Sequence, residues 1–185
     1  MLSILICSLN DRAEKLARLQ TILNNQVLGN SDVEVLVEVD DGTMPIGRKR
    51  NILMHRSTRK YLCFVDDDDD VSRHYVLLIL NYIQRYFGEH GEYPDCVGMC
   101  GHLVSNGEQG WQFRHSITVG RWCKDKQNHI YFRTPNHLNP IKTSIAQRIQ
   151  FPETDWGEDR SYSDQIKPML KTETFIEKPI YFYNK

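Results

Sequence analysis

Five consecutive aspartates, Asp66–Asp70, stand directly behind the run Tyr61-Leu62-Cys63-Phe64-Val65. No other stretch limits the fold of the chain as strongly. The five preceding residues are apolar, aromatic or β-branched, the composition of a buried strand. Adjacent carboxylates repel one another and lose hydration wherever they approach a core. A divalent cation relieves that conflict, and oxygen-only ligands at a strand end suit Mg²⁺ or Mn²⁺, which share their shell with substrate phosphates. The competing reading is a solvated acidic turn whose last carboxylates favour the N-terminus of a following helix. Direct contact with a buried strand favours the cation site. An EF-hand fits the spacing of Asp66, Asp68 and Asp70 and then fails, because Val71 stands where glycine is needed and Leu77 where glutamate is needed. Ser72 is placed to cap a helix whose apolar face is Tyr75, Ile79, Tyr82, Ile83 and Tyr86.

The 185 residues, 40% hydrophobic and 25% charged, predict one globular domain with a proper core. A net charge of −1 gives no general attraction to nucleic acid or to an anionic membrane. Arg48, Lys49 and Arg50 form a local basic cluster. The five cysteines are an odd number, and Cys7 and Cys63 fall in expected core strands, which argues for reduced thiols and a cytoplasmic setting. Cys96 and Cys100 lack a second pair at zinc-site spacing and are read as structural. The apolar start Met1–Cys7 has no basic leader and is too short for a signal peptide or a transmembrane helix.

Taken in order, Ser3–Cys7 is the first expected strand, and a helix then runs to about Val27. Val33, Val35, Val37 and Val39 alternate with Glu34, Leu36 and Glu38 in a second strand, closed by Asp40-Asp41-Gly42. A helix over Arg48–Arg56 leads to the Tyr61–Val65 strand, and the next helix reaches about Phe87. Strands alternating with helices imply right-handed crossovers, a mainly parallel sheet, and a ligand crevice along its carboxyl edge. Beyond the loop Gly88–Pro94, strands are expected at Cys96–Val104 and Trp111–Val119 around the turn Ser105–Gly110, and a short one at Ile130–Phe132. Short helices are expected at Ser144–Ile149 and from Gly157 to about Leu170, with a final strand at Thr174–Tyr183. The fold class is therefore α/β: residues 1–94 form a Rossmann-like nucleotide-binding half with flanking helices, and residues 95–185 a smaller, antiparallel half.

Three stretches give this pattern a family likeness. They are Ser3–Arg12 with Asp40-Asp41-Gly42; Gly47-x-x-Arg50-Asn51 with Phe64-Val65-Asp66-Asp67-Asp68-Asp69; and Phe151-Pro152-Glu153 with Gly157-Glu158-Asp159. In this order and spacing the chain resembles the GT-A nucleotide-sugar glycosyltransferases, family 2 in particular, with the aspartate run in the place of the DxD motif. The resemblance implies a nucleotide-sugar donor, a UDP-sugar, and a hydroxyl-bearing acceptor of unspecified class. It places Asp40 at the uracil base, and Ser8, Arg12, Arg50 and Asp67 around the nucleotide. Asp66 would face the ribose or the metal, and Asp68 would ligate Mn²⁺ or Mg²⁺. Asp159 would be the general base with Glu158 beside it. His137 is the candidate for a further metal ligand. Trp111 and Trp156 are candidate acceptor platforms, with core packing the competing reading, a stronger one for Trp111, which is set in a strand.

Two other enzyme classes and a binder use similar parts. A nucleotidyltransferase also needs a nucleotide-binding half-sheet and a metal, but it calls for a glycine-rich loop after the first strand, and Ser8-Leu9-Asn10-Asp11-Arg12 has no glycine. An aspartyl phosphotransferase would make Asp66 a nucleophile, on a strand that usually comes first rather than third. A non-catalytic cation- or sugar-binding module remains if Glu158-Asp159 is only a helix start.

Overall fold

The computed structural model describes residues 1–184. The chain opens with β1 (Leu2–Leu9), a single 3-10 turn and α1 (Ala13–Val27), followed by β2 (Val33–Asp40), α2 (Ile46–Arg56) and β3 (Tyr61–Phe64). β1 lies between β2 and β3, parallel to both. Leu9 is opposite Asp40 and Leu5 is opposite Phe64, and Val65 still donates to the Leu5 carbonyl at 3.0 Å. The carboxyl ends of the three strands therefore open on one edge, the expected position for a ligand crevice.

Side chains on β1 alternate between two cores, as the period of a strand requires. Leu2, Ile4 and Ile6 face a core shared with Leu19 and Leu23 of α1. The same core takes in Tyr75, Val76, Ile79 and Ile83 of α3 (Tyr75–His90). Leu5 and Cys7 face a second core with Leu53 and Met54 of α2. Tyr162 and Ile166 of α5 (Glu158–Ile166) complete it. Helices thus cover both faces of the parallel half.

A two-residue strand β4 (Asp70–Val71) precedes α3. After α3 come β5 (Cys96–Ser105), β6 (Glu108–His115), β7 (Cys123–Asp125), β8 (Ile130–Arg133), β9 (Ile141–Lys142), α4 (Thr143–Ala146), α5 and β10 (Glu173–Asn184). All ten strands form one sheet in the order β2-β1-β3-β9-β5-β6-β8-β7, with β10 pairing to both β5 and β4.

The second half differs from the expectation of an antiparallel layer. β5–β6 and β7–β8 are antiparallel, but β6–β8 and β5–β10 are parallel. The segment between β5 and β10 is long enough for a crossover connection, which a parallel neighbour needs. The hairpin turn is tighter than Ser105–Gly110: only Asn106 and Gly107 are outside the strands, both at positive φ (53° and 79°), as a two-residue hairpin turn demands. Ser72 does not cap a helix through its side chain onto the first turn. Asp70 and Val71 are held by Phe182 and Tyr181 of β10, and the helix starts three residues after Ser72, at Tyr75. The expected helix over Ser144–Ile149 contracts to the single turn of α4, and α5 gives way to a 3-10 turn at Lys167–Met169, where Pro168 cannot donate to the preceding turn.

Gly101 marks the closest approach of β10. A Cβ there would lie 2.1 Å from the Tyr181 carbonyl oxygen and 2.5 Å from Phe113 Cζ. Gly101→Ala is expected to cost about 1–3 kcal/mol, the range for overpacking a filled interior. Urea denaturation measures it, and an unchanged midpoint would mean that β10 can move away from β5 freely.

Candidate active site

The five aspartates do not converge. They are divided among several partners, because clustered charges without partners are unstable in a protein interior. Asp66 Oδ1 accepts from Arg50 Nη2 at 3.2 Å, and Asp66 Oδ2 lies 3.4 Å from His137 Nε2. Asp67 is buried, receiving Ser8 Oγ–H at 2.6 Å and Arg12 Nη1–H at 2.9 Å. Asp68 is more open, its side chain 38% exposed, 3.4 Å from Arg12 Nη1 and 3.7 Å from Lys15 Nζ. Asp69 is buried beneath β10, where Tyr181 O–H donates to Oδ2 at 2.7 Å and Asn184 N–H to Oδ1 at 2.8 Å. Asp70 pairs with Arg18 at 2.8 Å.

Burial alone would raise the Asp66 carboxyl. The charge and hydrogen bond of His137, with those of Arg50, outweigh it and hold the group well below the usual carboxylate range. Asp69 goes the other way. Burial first, and the neighbouring Asp66 charge second, push it up to about 8 against the pull of the Tyr181 and Asn184 bonds.

Arg50 joins this run to the third motif. Its side chain is 3% exposed; Nη1 donates to Glu158 Oε1 at 2.7 Å while Nη2 serves Asp66. The guanidinium also lies 5.7 Å and 5.5 Å from the ring centres of Phe64 and Phe151. Glu158 and Asp159 consequently diverge at the start of α5. Glu158 turns inward onto Arg50, and Asp159 lines a cavity.

Two hollows meet at Asp66. The first, a cleft of about 480 Å³, is lined by Ser8, Arg12, Lys49, Arg50 and all of Asp66, Asp67 and Asp68. Gly42, Met44, Asp155 and Trp156 form its opposite lip. The second, about 510 Å³, contains Asp66, His137 and Asp159 together with Trp122, Tyr131 and Arg133. Asp66 and Tyr183 belong to both walls.

Asp40 does not reach the cleft surface. Lys49 Nζ holds its Oδ1, and the amides of Gly42 and Met44 donate to Oδ2 at 3.2 Å and 2.7 Å, so the carboxylate shapes the loop that does line the cleft. Trp156 is 91% exposed and borders the aspartate cleft rather than the Asp159 cavity. Its loop is tied to α2, where Ile46 N–H donates to Asp155 Oδ1 at 3.0 Å and Gly47 N–H to the Thr154 carbonyl at 3.3 Å. Only glycine fits at position 47, since a Cβ would fall 1.9 Å from the Pro152 oxygen. Trp111 is half-buried and packs against His129 and Tyr131, outside both hydrophobic cores.

Four participants escaped sequence reasoning. Lys49, part of the basic cluster, is buried. Tyr181 and Asn184 secure Asp69 from more than 110 residues away, and no local signal announces them. His115 lines the Asp159 cavity, its Nδ1 bonded to Asn139 Oδ1 at 3.2 Å and its Nε2 without a partner.

No set of three or more His, Cys, Asp and Glu groups among the described residues is gathered closely enough to enclose a metal ion. The donor set nevertheless suits a cation that takes one or two carboxylates and completes its shell with water and substrate phosphates. Asp66 and the more open Asp68 stand on the wall of the same cleft, and His137 is next to Asp66.

No protein-family model matches the chain, and no curated protein matches it in sequence. Solved structures do match. TarS of S. aureus superposes with a TM-score of 0.72 at 14% identity, over 100% of this chain and 36% of that one. Its 1–349 segment in complex with UDP-GlcNAc gives 0.73 at 16% identity, over 100% and 59%. The same segment in complex with UDP gives 0.71 at 15% identity, over 100% and 61%. The chain thus spans between about a third and three fifths of the structures it matches. At these identities the likeness establishes the fold, which is the GT-A type.

Two outcomes test this geometry. Arg50→Ala strands Asp66 and Glu158 in the interior and is expected to cost about 3–5 kcal/mol by chemical denaturation, the range for breaking a buried ion pair. Burial and the Arg133 charge hold His115 down to about 3, against an ordinary value near 6.5. The unfolded chain therefore binds the extra proton between these values, and stability falls as pH drops from about 6.5 towards 3. Thermal melts of His115→Gln across that window should show a shallower decline than the parent, and parallel curves would remove His115 from the acid response.

Proposed function

We propose that the protein transfers a sugar from a nucleotide-sugar, a UDP-sugar, to a hydroxyl acceptor with inversion at the anomeric carbon. The observation that carries this reading is the pair of hollows sharing Asp66. One is lined by cations and carboxylates suited to a nucleoside diphosphate, and the other holds Asp159, a carboxylate in no ion pair among the described residues whose Oδ1 accepts the Arg160 amide at 2.6 Å. The GT-A fold, and the UDP and UDP-GlcNAc carried by structures that match it, support the same donor class.

In this reading residues 1–94 supply the donor side and residues 95–185 the acceptor side. Ser8 and Arg12 fix Asp67, and Arg12 also presents positive charge to the diphosphate. Asp40 and Lys49 set the loop against which the base lies. Glu158 orients Arg50, and Arg50 orients Asp66. Asp66 and Asp68, with His137 adjacent, would hold Mn²⁺ or Mg²⁺, whose contribution is Lewis-acid stabilisation of the leaving diphosphate. Asp159 takes the proton of the acceptor hydroxyl as its oxygen bonds to the anomeric carbon, and the bond from that carbon to the diphosphate oxygen breaks on the opposite face to release UDP. Trp156, on the lip of the donor cleft, offers a ring face to base or sugar. The five cysteines are all free, four of them buried, in keeping with a cytoplasmic protein. No helix of the described residues is long and apolar enough to cross a membrane.

Calorimetric titration with UDP, GDP and CDP, each with and without Mn²⁺, tests the donor side. UDP is expected to bind in a metal-dependent way, with Asp68→Ala weakening it by at least about tenfold. Asp159→Asn is expected to lower sugar transfer about 10²–10⁴-fold, the range for loss of a general base, while UDP still binds. Absence of nucleotide binding under every condition would sink the proposal, and undiminished turnover in Asp159→Asn would remove that residue from it.

A further inference from the structure

Strand β10 carries a tyrosine that the packing of the molecule does not use. In its pairing with β5, Tyr181 is opposite Gly101 and Tyr183 is opposite Leu103. Residues two apart on a strand share a face. Tyr181 is buried on that face; its hydroxyl donates to Asp69 Oδ2 at 2.7 Å and accepts from the Asp66 amide at 3.1 Å. Tyr183, the next residue along the same face, is 41% exposed. Phe182, turned the other way, lies parallel to the His102 ring, whereas the Tyr183 ring has no aromatic or cationic partner, and its hydroxyl no hydrogen bond, among the described residues.

The neighbours of Tyr183 hold it in place. Asn184 N–H donates to Asp69 Oδ1 at 2.8 Å, and the Asn184 side-chain amide donates to the Asp68 carbonyl at 2.7 Å and to Asp70 Oδ2 at 3.3 Å. Together with the Tyr181 hydroxyl, these bonds fasten the strand to the aspartate run on both sides of Tyr183. The position so fixed is a junction. Among the described residues, Asp66 and Tyr183 alone line both the aspartate cleft and the Asp159 cavity. In glycosyl transfer the anomeric carbon is bonded to the diphosphate on one side and attacked by the acceptor oxygen on the other. The moving sugar therefore has to lie where the two hollows meet. Asp66 is already committed there to Arg50 and His137. Tyr183 is the shared wall residue left to meet the sugar.

We propose that Tyr183 belongs to the donor-sugar subsite, its hydroxyl donating a hydrogen bond to an oxygen of the transferred sugar and its ring forming a wall beside it. This rests on the glycosyl-transfer reading above, and it assigns Tyr183 to the sugar rather than to the nucleotide. A neutral phenol suits the place. Another carboxylate there would repel the diphosphate, and a cation would bind the diphosphate in preference to the sugar. Burial first, and then the charges of Asp69, Asp66 and Asp68, push the Tyr183 phenol above its ordinary value, so the group stays a protonated donor.

The test titrates the full chain, in the presence of Mn²⁺, with UDP, UDP-GlcNAc and UDP-glucose, for the parent, Tyr183→Phe and Tyr183→Ala. The quantity read is the affinity for each UDP-sugar relative to that for UDP. Tyr183→Phe keeps the ring and removes one neutral hydrogen bond, so it is expected to lower that ratio about 2–10-fold for at least one of the two sugars, with UDP affinity unchanged. Tyr183→Ala removes the ring as well and should lower the ratio further. A ratio unchanged in both variants overturns the proposal. Equal weakening of UDP and of both UDP-sugars also overturns it, since Tyr183 would then serve the diphosphate or merely support the cleft. A parent protein that binds neither UDP nor the UDP-sugars overturns the donor reading itself, whereas an unchanged ratio in a parent that binds them removes Tyr183 alone, so the two failures are separable.

Discussion

One buried guanidinium ties the molecule together. Arg50 sits on α2, Asp66 follows β3 and Glu158 begins α5, so its two ion pairs join elements 16 and 108 residues apart in sequence. A charge out of water is tolerated only where partners and hydrogen bonds replace its hydration, and here each partner is itself a site residue. The rings of Phe64 and Phe151 lie against the guanidinium as well, their centres 5.7 Å and 5.5 Å away. Such a pair adds less to net stability than equally packed apolar groups would, but it allows few alternatives. Asp66 is held at the junction of the two hollows because moving it would leave Arg50 half-paired.

The neighbouring aspartates extend the same logic. A strand end can place five carboxylates together only by dividing them among different counter-charges. Asp67 takes Ser8 and Arg12, Asp70 takes Arg18, and Asp69 accepts two neutral donors beneath β10. Asp68 is the most exposed of the five, its side chain 38% exposed against 31% for Asp70 and 26% for Asp66, and its contacts to Arg12 and Lys15 are loose. Two members of the run, Asp67 and Asp69, are buried, and the other three are partly open.

The first half of the chain was largely legible. Alternation in Val33–Val39, the apolar strands at Ser3–Cys7 and Tyr61–Val65, and the acidic residues behind them identify the parallel core and the edge where its tips gather. Local pattern suffices there because each strand is a continuous apolar or alternating run that pairs with a strand of the same half. The second half was legible only as elements. Asn106-Gly107 marks a hairpin through backbone chemistry, yet nothing near residues 173–184 says that this strand inserts beside β5 or reaches back to Asp69. The burial of Lys49, whose Nζ reaches the Ser8 carbonyl, is likewise a product of packing between distant segments. Motif spacing pointed to Arg50, Asp66 and Asp159 as a group, but not to the inward turn of Glu158 or the retreat of Asp40 behind its loop.

The long parallel strand β10 has a consequence for how the protein is made. It supplies the Tyr181 hydroxyl and the Asn184 amide that satisfy Asp69, residues 112 and 115 positions later in the chain. During synthesis the parallel core of β1–β3 can form as soon as it leaves the ribosome, but the acidic loop then has no lid. Closing so large a loop is entropically slow, and parallel pairing comes late in folding. A nascent chain halted before residue 173 would carry the framework of the donor cleft with its aspartates unsupported. Assembly of the site therefore waits on the last strand of the chain to be made.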